Sequence, residues 1–413
     1  MLNIIFKILL FLAPSPIFID AANSNIFIYF VPNGDITSLY SAKPEIPIPI
    51  VFFVAFILFT VGIIGVLVNK IDISLICKSC FYIMSLFVLL ISIIFILFGV
   101  NVTSIVQVLM GFLLISAIPL FLNINTLNSI ANSYFFGMLF WLTLHTLSIL
   151  IQNDYSLIGV DRNWNYSTIF GVLIYQSQVS YSATLSVFTI FSVFMYLEKS
   201  FRILALTTFS MAVFIGFVSQ TRLFFLDYII ITIFLVLYKY PYLKIFSINM
   251  RKTIVVIISL LLLITGYLYY GNRIVLGASD RFGLMYQGIE KIMQNPSLFI
   301  WGEGLIHSFA HNFFIDFVLN YGLVFLIILL VVLIFNLCFT IRLLRLSRNG
   351  FVFLGMIATI SLTNSIFNSA ITQPLFVGNV YVTLIIIVSY LMRISQMKLP
   401  FNGIEGSFFV VKR

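Results

Sequence analysis

Twelve stretches of this chain are apolar for long enough to cross a bilayer, and polar breaks separate each from the next. In the first half they run over 2–19, 47–68, 80–99, 104–122, 133–151 and 181–197. The second half adds 203–219, 223–238, 253–270, 321–340, 351–369 and 377–393. A spanning helix needs about 20 consecutive apolar residues and satisfies its own backbone hydrogen bonds. Composition agrees, since 62% of the residues are hydrophobic and only 8% are charged, against about 25% charged in an average soluble domain. The expected fold is therefore all-α: a polytopic transmembrane bundle of about twelve helices, forming a single integral domain over 1–413.

A formal charge of +9 need not mean nucleic acid, because charge in a membrane protein must first be sorted by side. With the N-terminus inside, the inner loops receive Lys70, Lys78, Lys199, Arg202, Lys239, Lys244, Arg251, Lys252, Arg342, Arg345, Arg348, Arg393, Lys398, Lys412 and Arg413. Lys43, Arg162, Arg222, Arg273, Arg281 and Lys291 fall outside, and Lys7 lies in the first segment. Fifteen basic residues inside against six outside follow the positive-inside rule, with both termini cytoplasmic. The first segment admits a cleaved signal peptide; an uncleaved first helix is the preferred expectation. Cys77, Cys80 and Cys338 are too few for a disulfide framework and read as free thiols.

One outer loop stands apart. It runs over 271–320 and gathers Arg273, Asp280, Arg281, Glu290, Lys291, Trp301, Glu303, His307, His311, Asn312 and Asp316. Loops of this length in a compact protein are usually functional. His307 and His311, four apart, share one face if the segment is helical, with Asn312, Asp316 and Asn320 along a polar stripe. Histidine suits proton abstraction from a hydroxyl near neutral pH. The glutamate of a metalloprotease HExxH is absent between the two histidines, so no metal is expected. At the outer end of two nearly contiguous apolar segments lies Ser219-Gln220-Thr221-Arg222. Its guanidinium either snorkels to the headgroups or presents a planar fork to a phosphate. Asp227, five residues into the following helix, either holds a partner or is structural. A second outer region, 152–180, carries Asp154, Asp161, Arg162 and Trp164. No internal repeat is apparent.

These features resemble the O-antigen polymerase and ligase superfamily of bacterial inner-membrane glycosyltransferases, and more narrowly its Wzy-type polymerases. Ser219 to Arg222 is similar to the family's Ser-x-x-Arg motif. Arg281, with Gln294-Asn295-Pro296 and Trp301-Gly302-Glu303-Gly304, resembles its Arg, Asn-Pro, Gly-x-Gly run. His311-Asn312, Asp316 and Tyr321-Gly322 resemble its His-Asn, acidic and Gly signature, and Arg162 with Gly171 is a looser match. The resemblance implies transfer of a sugar chain from undecaprenyl diphosphate to an acceptor hydroxyl at the periplasmic face, without metal, cofactor or nucleotide sugar. It implies His311 as the base, with Arg222 and Arg281 on the diphosphate. His307, Asn312, Asp316, Arg162, Arg273 and Trp301 are then expected at the substrate. The expected partners are the lipid-linked oligosaccharide, the bilayer and a chain-length regulator, with no nucleic acid. Two rival readings are a ligase that joins the finished glycan to lipid A core, and a lipid-linked oligosaccharide flippase. A flippase needs charged residues along its helices, and here the predicted helices are nearly free of them apart from Lys7 and Asp227.

Overall fold

In the computed structural model the described residues are 2–15, 18–20, 47–51, 54, 57, 60, 127–152, 168–169, 172–173, 178–198, 201–218, 222–239, 283–302, 312, 314–324, 326–327, 348–368, 378–380, 382–384 and 386–387. They are overwhelmingly helical. In chain order the helices are α1 (Leu2–Leu12), α2 (Leu127–Gln152), α3 (Gln178–Glu198), α4 (Arg202–Val218) and α5 (Arg222–Lys239). They continue with α6 (283–294), α7 (Pro296–Trp301), α8 (314–324) and α9 (Arg348–Asn368). Helical residues also occur between 378 and 387. The predicted segments 80–99, 104–122 and 253–270, and all three cysteines, lie outside the described residues. Among the described residues no helix is long and apolar enough to cross a membrane.

The first segment departs from expectation. Its helix stops at Leu12, where an unbroken run over 2–19 was predicted. Ala13-Pro14-Ser15-Pro16 follows; proline lacks the N–H a helix interior requires and pushes the preceding residue out of the helical region. Phe18–Asp20 instead forms strand β1, paired antiparallel with β2 (Pro47–Pro49) in the register Phe18↔Pro49, Ile19↔Ile48 and Asp20↔Pro47. A second short pairing joins β3 (Thr168–Ile169) to β4 (Val172–Leu173). The predicted outer loop is also less of a loop than expected, since α6, α7 and most of α8 fall within it.

Helix α3 is the axis of the bundle and packs against α2, α4, α5 and α9. Every residue from Ala183 to Met195 is buried, the pattern of a helix surrounded on all sides. Small hydroxyl residues alternate with phenylalanines along it, so neighbours approach closely on every face. Thr189 and Ser192 donate to the carbonyls of Leu185 and Phe188 one turn back, at 2.8 Å each, which satisfies their hydroxyls within the helix. Phe191 meets Tyr134 of α2 edge-on at 4.9 Å, and Phe194 meets Phe353 of α9 at 5.6 Å. Each such pair adds about 0.5–1.5 kcal/mol beyond the area it buries. Two glycines set the spacing elsewhere. A side chain at Gly137 of α2 would strike the backbone of Phe11 in α1, and one at Gly355 of α9 would meet the Phe234 ring of α5.

Candidate functional site

Two of the segments that carry the sequence motifs, 296–302 and 314–324, meet at one junction built from α7 and α8. Proline opens α7 at Pro296, where its missing N–H costs nothing and its fixed φ favours a helical start. The helix ends after six residues at Gly302, whose φ of 73° is open to glycine at no steric cost and whose N–H donates to the Leu298 carbonyl at 2.9 Å. A Cβ at Gly302 would lie 2.5 Å from the backbone of Asn320 and Tyr321. Reciprocally, Gly322 has φ 83°, and a Cβ there would run into the Ile300 carbonyl. Two backbones thus touch where neither can carry a side chain. The Trp301-Gly302 end of α7 and the Asn320-Tyr321-Gly322 segment, about twenty residues apart in sequence, are locked together at this point.

At the other end of α8, Asn312 and Asp316 build the helix start. Asn312 Oδ1 accepts the N–H groups of Phe314 and Ile315 at 3.0 and 3.2 Å. Asp316 Oδ2 in turn accepts the N–H of Asn312 at 3.2 Å, and the Asp316 N–H donates to the Asn312 carbonyl at 2.9 Å. This is a capping box with its acidic member one place further along. Both side chains are buried, Asn312 at 9% and Asp316 at 2% exposure. Both residues, expected at the substrate, hold the start of the helix. They also occupy N–H donors that would otherwise make the helix N-terminus an anion site. His311 directly precedes this cap. The Gly302 contact is with Asn320 and Tyr321 of α8, about 12–14 Å along the axis from Asn312 at 1.5 Å per residue.

Trp301 is 54% exposed, and Tyr286 and Met293 of α6 are more exposed still. Trp301 therefore presents an aromatic face at the junction. Arg222 is the first residue of α5, separated by three residues from the end of α4 at Val218. Helices α4 and α5 pack closely near these ends, since a Cβ at Gly216 would meet the buried Phe224 ring. Arg162, Arg273, Arg281, His307 and His311 lie outside the described residues, as does 219–221.

Sequence reasoning missed a polar cluster inside the bundle and left Asp227 open between two roles. Asp227 of α5 is fully buried and receives Ser186 Oγ–H from α3 at 2.7 Å and Asn364 Nδ2–H from α9 at 2.8 Å. Tyr134 of α2 donates to Asn379 Oδ1 at 2.9 Å and lies 3.3 Å from the Thr383 hydroxyl. Polar residues inside apolar runs were the only available signal, and their pairing is visible only in three dimensions. No protein-family profile, curated protein or solved structure matches the chain.

Proposed function

We propose that the chain is an integral membrane glycosyltransferase that polymerises undecaprenyl-diphosphate-linked oligosaccharide repeats at the periplasmic face of a bacterial inner membrane. The observation that carries this reading is the mutual glycine contact of α7 and α8, which joins two separate parts of the motif run that resembles the family, Trp301-Gly302 and Tyr321-Gly322. The membrane part rests on the inside-out character of the helices. Ile4 and Ile8 of α1, Phe140 and Leu147 of α2, Ile203 and Leu206 of α4, Ile233 of α5 and Leu362 of α9 face outward. Thr184, Ser186, Thr189, Ser192, Thr208, Asp227 and Asn364 are buried. Water-soluble bundles have the reverse arrangement, whereas helices in lipid turn their polar residues toward one another. Those inward polar residues lower the mean hydropathy of the helices that carry them.

In the proposed reaction His311 takes the proton of the acceptor sugar hydroxyl. The freed oxygen pair forms the glycosidic bond to the donor's anomeric carbon. The bond from that carbon to phosphate breaks, and its electrons leave with undecaprenyl diphosphate. Arg222 and Arg281 bind the diphosphate and stabilise the charge that grows on it. Removing one such preorganised donor costs roughly 100- to 1000-fold in rate. Trp301 offers a face for a pyranose ring.

The test is polymerisation of a defined lipid-linked repeat by purified protein, with and without chelator, comparing wild type with His311→Ala. The expected result is chelator-resistant polymer from wild type and none from the variant. Undiminished activity in both His311→Ala and Arg281→Ala would refute the assignment. In a deletion strain, one repeat left on the lipid core identifies the polymerase, and a core with no glycan identifies a ligase.

A further inference from the structure

The buried hydroxyls of Thr189, Ser192 and Thr208 donate within their own helices. Ser186 instead donates across to Asp227 Oδ2. Asn364 Nδ2 reaches the same oxygen and also donates to the Ile360 carbonyl at 2.9 Å. One carboxyl oxygen therefore collects two donors from two helices. The other, Asp227 Oδ1, has no donor among the described residues, and neither does Asn364 Oδ1.

A charged carboxylate cut off from water is stabilised by donors gathered on it, and both its oxygens only accept. A neutral acid is asymmetric, with a carbonyl oxygen that accepts and a hydroxyl oxygen that donates. The asymmetry at Asp227 is of the second kind. The two orphan acceptors also belong to residues already joined by one N–H···O bond. A single proton on Asp227 Oδ1 supplies the donor that Asn364 Oδ1 lacks. It closes a ring in which the amide N–H meets the acid carbonyl and the acid O–H meets the amide carbonyl.

Described side chains around the pair offer no countercharge. Residues 183–197 of α3 and 352–364 of α9 contain no charged group, and 223–236 of α5 contains only Asp227. The one charged residue within 202–216 of α4 is Arg202, exposed at the helix start. Among the tyrosines on these stretches, Tyr196 is exposed, and Tyr228 lies against Phe209 and Phe224.

We propose that Asp227 and Asn364 form a proton-binding site in the middle of the bundle. The proton is held as an acid–amide pair that latches α5 to α9, and Ser186 of α3 marks which oxygen is the carbonyl. The site is independent of the chemistry proposed at the periplasmic face. Gain or loss of the proton requires α5 and α9 to part, so it reports on bundle opening rather than on catalysis.

The experiment is infrared spectroscopy of the full chain in lipid nanodiscs at neutral pH, read as the difference between wild type and Asp227→Asn. The expected result is a carboxylic-acid carbonyl band in wild type that is lost in the variant. In Ser186→Ala the band shifts upward, because its carbonyl oxygen has lost a donor; this arm assigns the band even where Asp227→Asn folds poorly. Asp227→Asn should melt close to wild type, since its amide N–H replaces the acid O–H, and Asp227→Leu should melt earlier. Carboxylate bands in place of the acid band would overturn the proposal. So would a melting temperature that rises with sodium, which would mark a metal cation where the proton is assigned.

Discussion

Replacing Gly322 with alanine tests the α7–α8 junction most directly. Two costs combine. A non-glycine residue at φ 83° is strained by roughly 1–2 kcal/mol. The new methyl also overlaps the Ile300 carbonyl, and relieving such overpacking costs about 1–3 kcal/mol. Their sum, about 2–5 kcal/mol, raises the open fraction of the junction between about 30-fold and several thousand-fold at 1.4 kcal/mol per decade. Amide hydrogen exchange over 296–302 reads this opening, because the Gly302 N–H is held by the Leu298 carbonyl. Gly283→Ala is the matched control. A Cβ there meets nothing within 4 Å, and alanine favours an exposed helix by about 1 kcal/mol, so exchange in α6 should slow. Unchanged exchange over 296–302 in Gly322→Ala would refute the close backbone contact.

Two further substitutions probe neighbouring parts of the argument. Asn312→Ala removes the acceptor of the Phe314 and Ile315 N–H groups and should destabilise the start of α8 by about 1 kcal/mol. Faster exchange confined to the first turn would show it, and Asn312→Ser should restore most of the protection. Tyr134→Phe deletes the donor to Asn379 while keeping the ring against Phe191; it should lower stability by about 1 kcal/mol in thermal unfolding in detergent, and Tyr134→Ala should cost more.

Where a helix is a single apolar run, its place was legible from hydropathy. The predicted 181–197, 203–219 and 223–238 correspond to Gln178–Glu198, Arg202–Val218 and Arg222–Lys239. Helix α2 begins at Leu127 rather than 133, because Asn128, Ser129, Asn132 and Ser133 interrupt an apolar count without interrupting backbone hydrogen bonding. Helices α6 and α7 escaped notice because α6 is largely exposed and neither has a long apolar run, whereas the helical spacing of Asn312, Asp316 and Asn320 pointed to α8. Asn312 and Asp316 drew attention as polar residues near a histidine, yet their spacing also fits a cap, and hydrogen bonds decide between the two readings. The Asp227 cluster was the least legible, since its partners lie 41 and 137 residues away. Arg222 shows the limit of position alone: the sequence places it at a helix end, and only the close approach of Gly216 to Phe224 shows that α4 and α5 meet beside that end.

The clamp between β1 and β2 offers a practical opening. Asp20 pairs with Pro47, so the chain leaves this small sheet and returns to the same point. For a loop whose ends are already fixed, doubling the length costs only about 0.6 kcal/mol. The strand pair fixes both ends of the connection between residues 20 and 47. A rigid epitope for antibody capture or particle alignment grafted there is held at both ends by the sheet.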